Sequence, residues 1–227
     1  MGIPVSMRNP SSMFFSLFIL FNSFGRVLMM ATTSPRFVTN RMCPFAQKVW
    51  IALEVTGVDY EFKEISLYGS NGKPDWFWDL NPEGTVPVLE SAKGVYADSE
   101  DILDKIPEII EDGGAKLLPG SSNIDKNVTA WRKEINQMLP IGKNAVLGGS
   151  KKSLMKKLEE LDALAKGPYL CGDDVTLADC AAFPFLWRLN TEFDLRTCPN
   201  IQKWLKYCES NNIAFRTTIQ SSWWWWW

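Results

Sequence analysis

There is no histidine among the 227 residues. That absence removes Cys-His and Ser-His nucleophilic pairs, and with them the zinc sites that use imidazole. No sign of charge dominates either: the net charge of −2 lacks the basic footprint that binding nucleic acid requires. The five cysteines, at 43, 171, 180, 198 and 208, are odd in number and nowhere form Cys-x-x-Cys. This pattern argues against a disulfide framework or a structural zinc site, and it fits a reducing compartment. The apolar stretch Met13 to Phe21 is far too short to span a bilayer, so no stable membrane span is expected.

Acidic residues are missing from the N-terminus. The first is Glu54, after Arg8, Arg26, Arg36, Arg41 and Lys48. A basic, serine-containing segment with a short apolar core reads as a leader of the secretory or organelle-transit kind. Residues 1–34 are therefore set outside the fold as a leader or disordered extension. At the other end, Trp223 to Trp227 form a run of five tryptophans that no folded interior needs, so 219–227 is read as a disordered tail.

Between these ends the pattern alternates. Phe37–Thr39 reads as a strand and Pro44–Gly57 as a helix that stops at Gly57. Tyr60, Phe62 and Ile65 lie in an alternating, strand-like run. Pro74–Asp79 makes one or two helical turns, Val86–Leu89 and Gly94–Ala97 two further strands, and Ser99–Ile106 a helix with Ser99 as its N-cap. The order β-α-β-α-β-β-α occupies residues 35–112. The segment 113–122, rich in Gly, Pro and Ser, reads as a linker. Past it no strand is evident, and 123–218 is expected to be all-helical. Leu154, Leu158, Leu161 and Ala165 carry helical spacing, Thr176–Asp179 has the form of a capping box, and Ile201–Cys208 is a last short amphipathic helix.

The chemistry concentrates at Arg41-Met-Cys-Pro-Phe-Ala-Gln-Lys48. Phe45, Val49, Ala52 and Leu53 share one helical face, and Pro44 suits the first helical position because its missing N–H has no partner there. Cys43 is thereby placed at the N-cap, against unpaired N–H groups and the positive end of the helix dipole. Such a setting favours thiolate and brings cysteine pKa values from about 8.5 to roughly 3.5–7.5. With Ala46 where a dithiol motif has its second cysteine, the oxidised partner of Cys43 must come from elsewhere. Val86-Pro87 is a plausible cis-proline site, and the helix start at Asp98-Ser99 suits a carboxylate ligand.

Taken in order, these stretches resemble the glutathione S-transferase superfamily, in its cysteine-type branch. Cys43-Pro-Phe-Ala-Gln-Lys-Val-Trp50 is similar to the omega and lambda classes. Lys73-Pro-Asp-Trp-Phe77, Asn81-Pro-Glu-Gly-Thr-Val-Pro-Val-Leu89 and Ala97-Asp-Ser99 are similar to omega and dehydroascorbate reductase enzymes. Gly167-Pro-Tyr-Leu170 with Thr176-Leu-Ala-Asp179 resembles the capping-box region of the family's helical domain. The resemblance implies an α/β thioredoxin-like N-terminal domain that binds glutathione, followed by an all-α C-terminal domain that walls the second-substrate site. It implies that Cys43 forms a mixed disulfide with glutathione and that Lys73 pairs with the glycyl carboxylate. Val86, ahead of cis-Pro87, would bind the cysteinyl backbone; Asp98 and Ser99 would hold the γ-glutamyl end, and Phe45 would line the site. Asp98 stands where omega enzymes usually carry Glu, and Gly69–Gly72 looks like a small insertion before Lys73.

The implied function is that of a glutathione-dependent thiol transferase or dehydroascorbate reductase, with glutathione as co-substrate, no metal, and a small oxidised or disulfide substrate. Phe183, Phe185, Trp187 and Trp131 are candidates for the acceptor pocket and fit the core equally well. The protein is expected in the cytoplasm, or in a plastid or mitochondrion if the leader is cleaved, as a monomer or homodimer. Two other readings stand beside this one: a non-enzymatic glutathione-fold module, and a membrane-inserting protein like the chloride intracellular channels. Gln47, Lys48 and Glu54 interrupt the apolar stretch that the second of these requires.

Overall fold

Two apolar segments, Leu17–Phe21 (β1) and Val27–Ala31 (β2), pair antiparallel in a sheet of their own. Among the described residues, the part expected as a leader contributes no strand to the main sheet. The computed structural model describes residues 17–21, 27–31, 34–67, 72–110, 117, 122–165 and 167–220. Of the expected tail 219–227, Ile219 and Gln220 are described, Ile219 packing partly buried against the core; 221–227 and most of the expected linker lie outside the described residues.

The main sheet is built from Arg36–Thr39 (β3), Glu61–Glu64 (β4), Val88–Ser91 (β5) and Gly94–Ala97 (β6). Its order is β4-β3-β5-β6, with β3 parallel to β4 and antiparallel to β5. A parallel pair needs a crossover connection, and the helix Pro44–Thr56 (α1) supplies it. Gly57 ends α1 at φ 70°, donating to the Glu54 carbonyl; a left-handed residue at this position is cheapest as glycine. The short helix Asp75–Leu80 (α2) precedes the proline loop, and Ser99–Ile109 (α3) follows the sheet. Strand β5 begins two residues later than expected, because Pro87 has no N–H to give to a ladder.

Five helices follow, with no further strand among the described residues: Ser122–Val146 (α4), Lys151–Leu164 (α5), Leu177–Glu192 (α6), Pro199–Asn211 (α7) and Ile213–Thr218 (α8). The last was not anticipated; six residues are too few for a periodic signal, and Asn212 caps it by accepting from the Ala214 N–H. No described helix is long and apolar enough to cross a membrane.

Helix α1 is buried on nearly every side. The sequence marks one apolar face, yet Gln47 is 2% exposed and Lys48 1%. The reason is that α1 packs against α3 on one side and against α6 and α8 on another, so its polar positions face protein where water was expected.

The capping box of α6 forms as expected. Asp179 Oδ2 accepts from the Thr176 N–H and hydroxyl, both at 2.9 Å, while Oδ1 accepts from the Leu170 N–H at 2.8 Å and Trp204 Nε1 at 2.9 Å. One fully buried carboxylate thereby ties the loop before α6, the start of α6, and α7. Asp179→Ala leaves three buried N–H donors without an acceptor. At about 1–3 kcal/mol for each stranded group, urea unfolding is expected to show a loss of at least about 3 kcal/mol.

Candidate active site

The turn between β3 and α1 is set by Asn40. Its Oδ1 accepts from the Met42 N–H at 3.0 Å, and its Nδ2 donates to the Ile65 carbonyl at 2.9 Å. Arg41 is held by Glu64, with 2.9 Å between Nε and Oε2, and stacks over Phe62 and Trp50. The chain therefore delivers Cys43 to the N-cap of α1 in extended conformation (φ −78°, ψ 117°), with Pro44 in the first turn. The placement is the expected one. The thiol is half-buried, and its Sγ lies 3.9 Å from the Val86 carbonyl.

The Val86–Pro87 bond is cis, as expected. Its loop is folded by Asn81, which donates to the Thr85 carbonyl at 2.9 Å and accepts from the Glu83 N–H at 3.2 Å. Gly84, at φ +67°, lies against the Trp78 ring so closely that a Cβ would fall 2.4 Å from it. Only glycine fits that contact without displacing Trp78.

The expectation of a lowered thiol pKa is corrected. Burial pushes the Cys43 thiol up, and this outweighs the N–H groups of Ala46 and Phe45 and the cations Arg188 and Lys48, all of which favour thiolate. The sulfur makes no full capping hydrogen bond to α1, and the pull of the first-turn N–H groups is too weak to offset burial.

Asp98, expected beside the glutathione site, is the true N-cap of α3. It replaces Ser99 in that role: its Oδ1 accepts from the Glu100 N–H at 2.7 Å and the Asp101 N–H at 3.4 Å. Its backbone is left-handed at φ 77°, a cost that non-glycine residues carry mostly at functional sites. Ser99 follows, buried at the first helical position. Phe45 is half-buried and meets Phe185 edge-on, with ring centroids 5.2 Å apart. Lys73 stands over the Trp78 ring at 5.2 Å; no contact joins it to the residues around Cys43 among the described residues. Of the four aromatics considered for the acceptor pocket, Phe183 and Trp131 are core, and Phe185 is buried against Phe45. Trp187 is partly exposed and donates to Glu209 at 3.1 Å.

Five residues that sequence reasoning missed surround this arrangement. Lys48 pairs with Glu100, and Arg132 of α4 grips Glu100 Oε2 through Nε at 2.9 Å and Nη2 at 2.7 Å. Burial pushes the Glu100 carboxyl up, but the two cations outweigh it and hold it below the usual carboxylate range. Gln47 and Arg188 form a second buried connection, with 2.5 Å between Nη1 and Oε1. The available signal was a charged or amide residue set inside an otherwise apolar run. Among the described residues no cluster of His, Cys, Asp or Glu could hold a metal.

A thioredoxin-like sheet domain joined to a bundle of helices within one chain is the architecture of the glutathione transferases. The family model described as "Glutathione S-transferase, N-terminal domain" matches residues 38–122, and that described as "Glutathione S-transferase, C-terminal domain" matches 127–206. The chain belongs to the glutathione S-transferase family. It is 31% identical over 156 residues to "Glutathione S-transferase DHAR2" of Arabidopsis thaliana, covering 65% of this chain and 67% of that one. It is 29% identical over 186 residues to "Glutathione S-transferase omega-1" of Sus scrofa, covering 75% and 74%. The solved structure of glutathione transferase Omega 3C from Trametes versicolor shares the fold, with a TM-score of 0.74 at 22% identity over 85% of this chain and 92% of that one. Glutathione is the co-substrate, and the activity falls within glutathione transferase and glutathione-dependent oxidoreductase chemistry.

The Lys48–Glu100–Arg132 chain makes an asymmetric prediction. Glu100→Ala strands the buried Lys48 ammonium, so a loss of about 3–5 kcal/mol is expected. Lys48→Met leaves Glu100 paired with Arg132 and is expected to cost clearly less; urea unfolding of both variants checks the order. Because the folded pKa of Glu100 is lowered from 4.5, its contribution is present above that value and fades as pH falls through the folded pKa.

Proposed function

We propose that this enzyme is a glutathione-dependent thiol transferase or dehydroascorbate reductase in which Cys43 is the single reacting thiol. The observation that carries this reading is the approach of Cys43 Sγ to the Val86 carbonyl, at 3.9 Å, beside the cis-proline loop. The other four cysteines all lie beyond residue 170, and three of them are buried. All five are free, and glutathione from solution fits the need for a resolving thiol.

With a glutathione mixed disulfide as acceptor, the Cys43 thiolate attacks the glutathionyl sulfur and expels the acceptor as its thiolate. A second glutathione then attacks the enzyme-bound glutathionyl sulfur, forming glutathione disulfide and returning the Cys43 thiolate. With dehydroascorbate, Cys43 adds to a carbonyl to give a thiohemiketal. Attack of glutathione on the Cys43 sulfur releases ascorbate and leaves the same mixed disulfide, which a second glutathione clears. The dehydroascorbate cycle oxidises two free glutathiones; the mixed-disulfide cycle consumes one, because the acceptor itself supplies the other half of the glutathione disulfide.

Val86 and Pro87 then bind the cysteinyl backbone of glutathione, Asp98 and Ser99 its γ-glutamyl end, Lys73 its glycyl carboxylate, and Phe45 lines the groove. The left-handed backbone of Asp98 supports its assignment, since strain of this kind is kept where a ligand needs it. Free cysteines throughout the chain suit a reducing intracellular compartment.

Treatment with glutathione disulfide is expected to add one glutathionyl group to the protein and none to Cys43→Ser, as read by intact mass. The same variant is expected to lose dehydroascorbate and mixed-disulfide reduction by at least about a thousandfold. Unchanged rates in Cys43→Ser would refute the reading, and comparison of the two acceptors on the parent enzyme decides which is preferred.

A further inference from the structure

Arg188, on α6, is only 4% exposed, yet among the described residues no carboxylate pairs with it. Its Nη1 donates to two neutral acceptors, Gln47 Oε1 at 2.5 Å and the Pro184 carbonyl at 2.8 Å, and its buried Nε has no partner. A guanidinium held this way has lost its hydration without gaining an anion. Burial pulls its pKa down to about 10, so it remains a cation at neutral pH, and the charge that acts on it in return is that of Cys43.

The other charges around this point are already matched. Lys48, on the same helix as Gln47, is paired with Glu100 of α3, and Arg132 of α4 shares that carboxylate. Asp98 adds a further negative field on Lys48. On α6 itself, Asp179 is occupied by the capping box and Glu192 is exposed; on α8, Arg216 is exposed. On the sheet, Glu90 pairs with Arg36. Gln47 lies one helical turn after Cys43, its N–H donating to the Cys43 carbonyl at 3.0 Å, so the unmatched charge of Arg188 is fastened to the turn that carries the thiol.

We propose that Arg188 is the counter-ion of the Cys43 thiolate, and that Gln47 positions it by fastening it to the C-terminal helix α8. The amide of Gln47 is used at both ends. Its Nε2 donates to the Thr218 carbonyl at 3.1 Å and hydroxyl at 3.3 Å, which turns Oε1 toward Arg188. Thr218 and Gln47 are as buried as Arg188, so the connection is shielded from water and its electrostatics are screened by salt far less than a surface pair. The short last helix is thereby linked to the reactivity of a cysteine 175 positions earlier in the chain. Arg188 acts as a positioning residue for charge: when the thiol loses its proton to solvent, the guanidinium gains the anion it lacks. The inference rests on Cys43 being the reacting thiol.

The test is the pH dependence of Cys43 alkylation by iodoacetamide on the full chain, with the modified residue located by peptide mass mapping. Arg188→Met is expected to move the inflection upward by about one pH unit or more, which is about tenfold slower alkylation at a fixed pH below both inflections. Arg188→Lys is expected to recover most of that shift, which a purely structural role would not do. Gln47→Glu keeps the volume and gives Arg188 a carboxylate; it is expected to raise the inflection too, and it carries the test if Arg188→Met fails to fold. An inflection unmoved by Gln47→Glu, or equal in Arg188→Met and Arg188→Lys, overturns the proposal. The assay contains no glutathione and no acceptor. Absence of mixed-disulfide formation with a normal Arg188 shift therefore counts against the proposed activity and leaves this role intact.

Discussion

A helix buried on nearly every side leaves few of its polar residues to water, and α1 is such a helix. It lies between the sheet domain and the helices α6 and α8, with Gln47 and Lys48 in its buried surface. Burying an ammonium is costly unless an anion meets it, and α3 supplies Glu100, which Arg132 of α4 then shares. The amide of Gln47 is met in the same way, by Thr218 of α8 and Arg188 of α6. Two consecutive residues of one helix thus define how both halves of the molecule close on it. The N-terminus of that helix is where Cys43 sits.

The reacting end of α1 is shaped by competing terms. Burial favours neutral thiol, while N–H groups and two cations favour thiolate, and burial is the larger. Intrinsic nucleophilicity rises with thiol pKa, but exchange is fastest when that pKa lies near ambient pH, so the groups that offset burial favour reaction. The cis Val86–Pro87 loop brings a carbonyl to the sulfur, and the strained cap at Asp98 opens the neighbouring helix. Sheet, proline loop and helix start converge on one edge of the first domain, and Phe45 joins that edge to Phe185 of the second.

Much of this was legible in advance. Strand β3, the stop at Gly57, the cis-proline, the capping box and the N-cap position of Cys43 all follow from local chemistry that a few adjacent residues carry. Where the local reading slipped, a tertiary neighbour had intervened. Ser99 has the chemistry of an N-cap, but Asp98 takes the position because its carboxylate reaches two N–H groups. Phe183 and Trp131 look like pocket aromatics and are core, because Phe183 packs on Trp204 and Phe215. Lys73 matches its motif, yet its ammonium rests on Trp78.

By itself, the sequence determined the order of elements from β3 to α3, the family and the solitary thiol at a helix start, since each is written in short-range spacing and in residue types that do one job. Only the tertiary structure decided what that thiol feels. The guanidinium of Arg188 is 145 positions away from it in the chain, and Thr218, which anchors the intervening amide, is further still. Charges so distant in sequence act on Cys43 because folding removes the water between them, and no local pattern records where water will be absent.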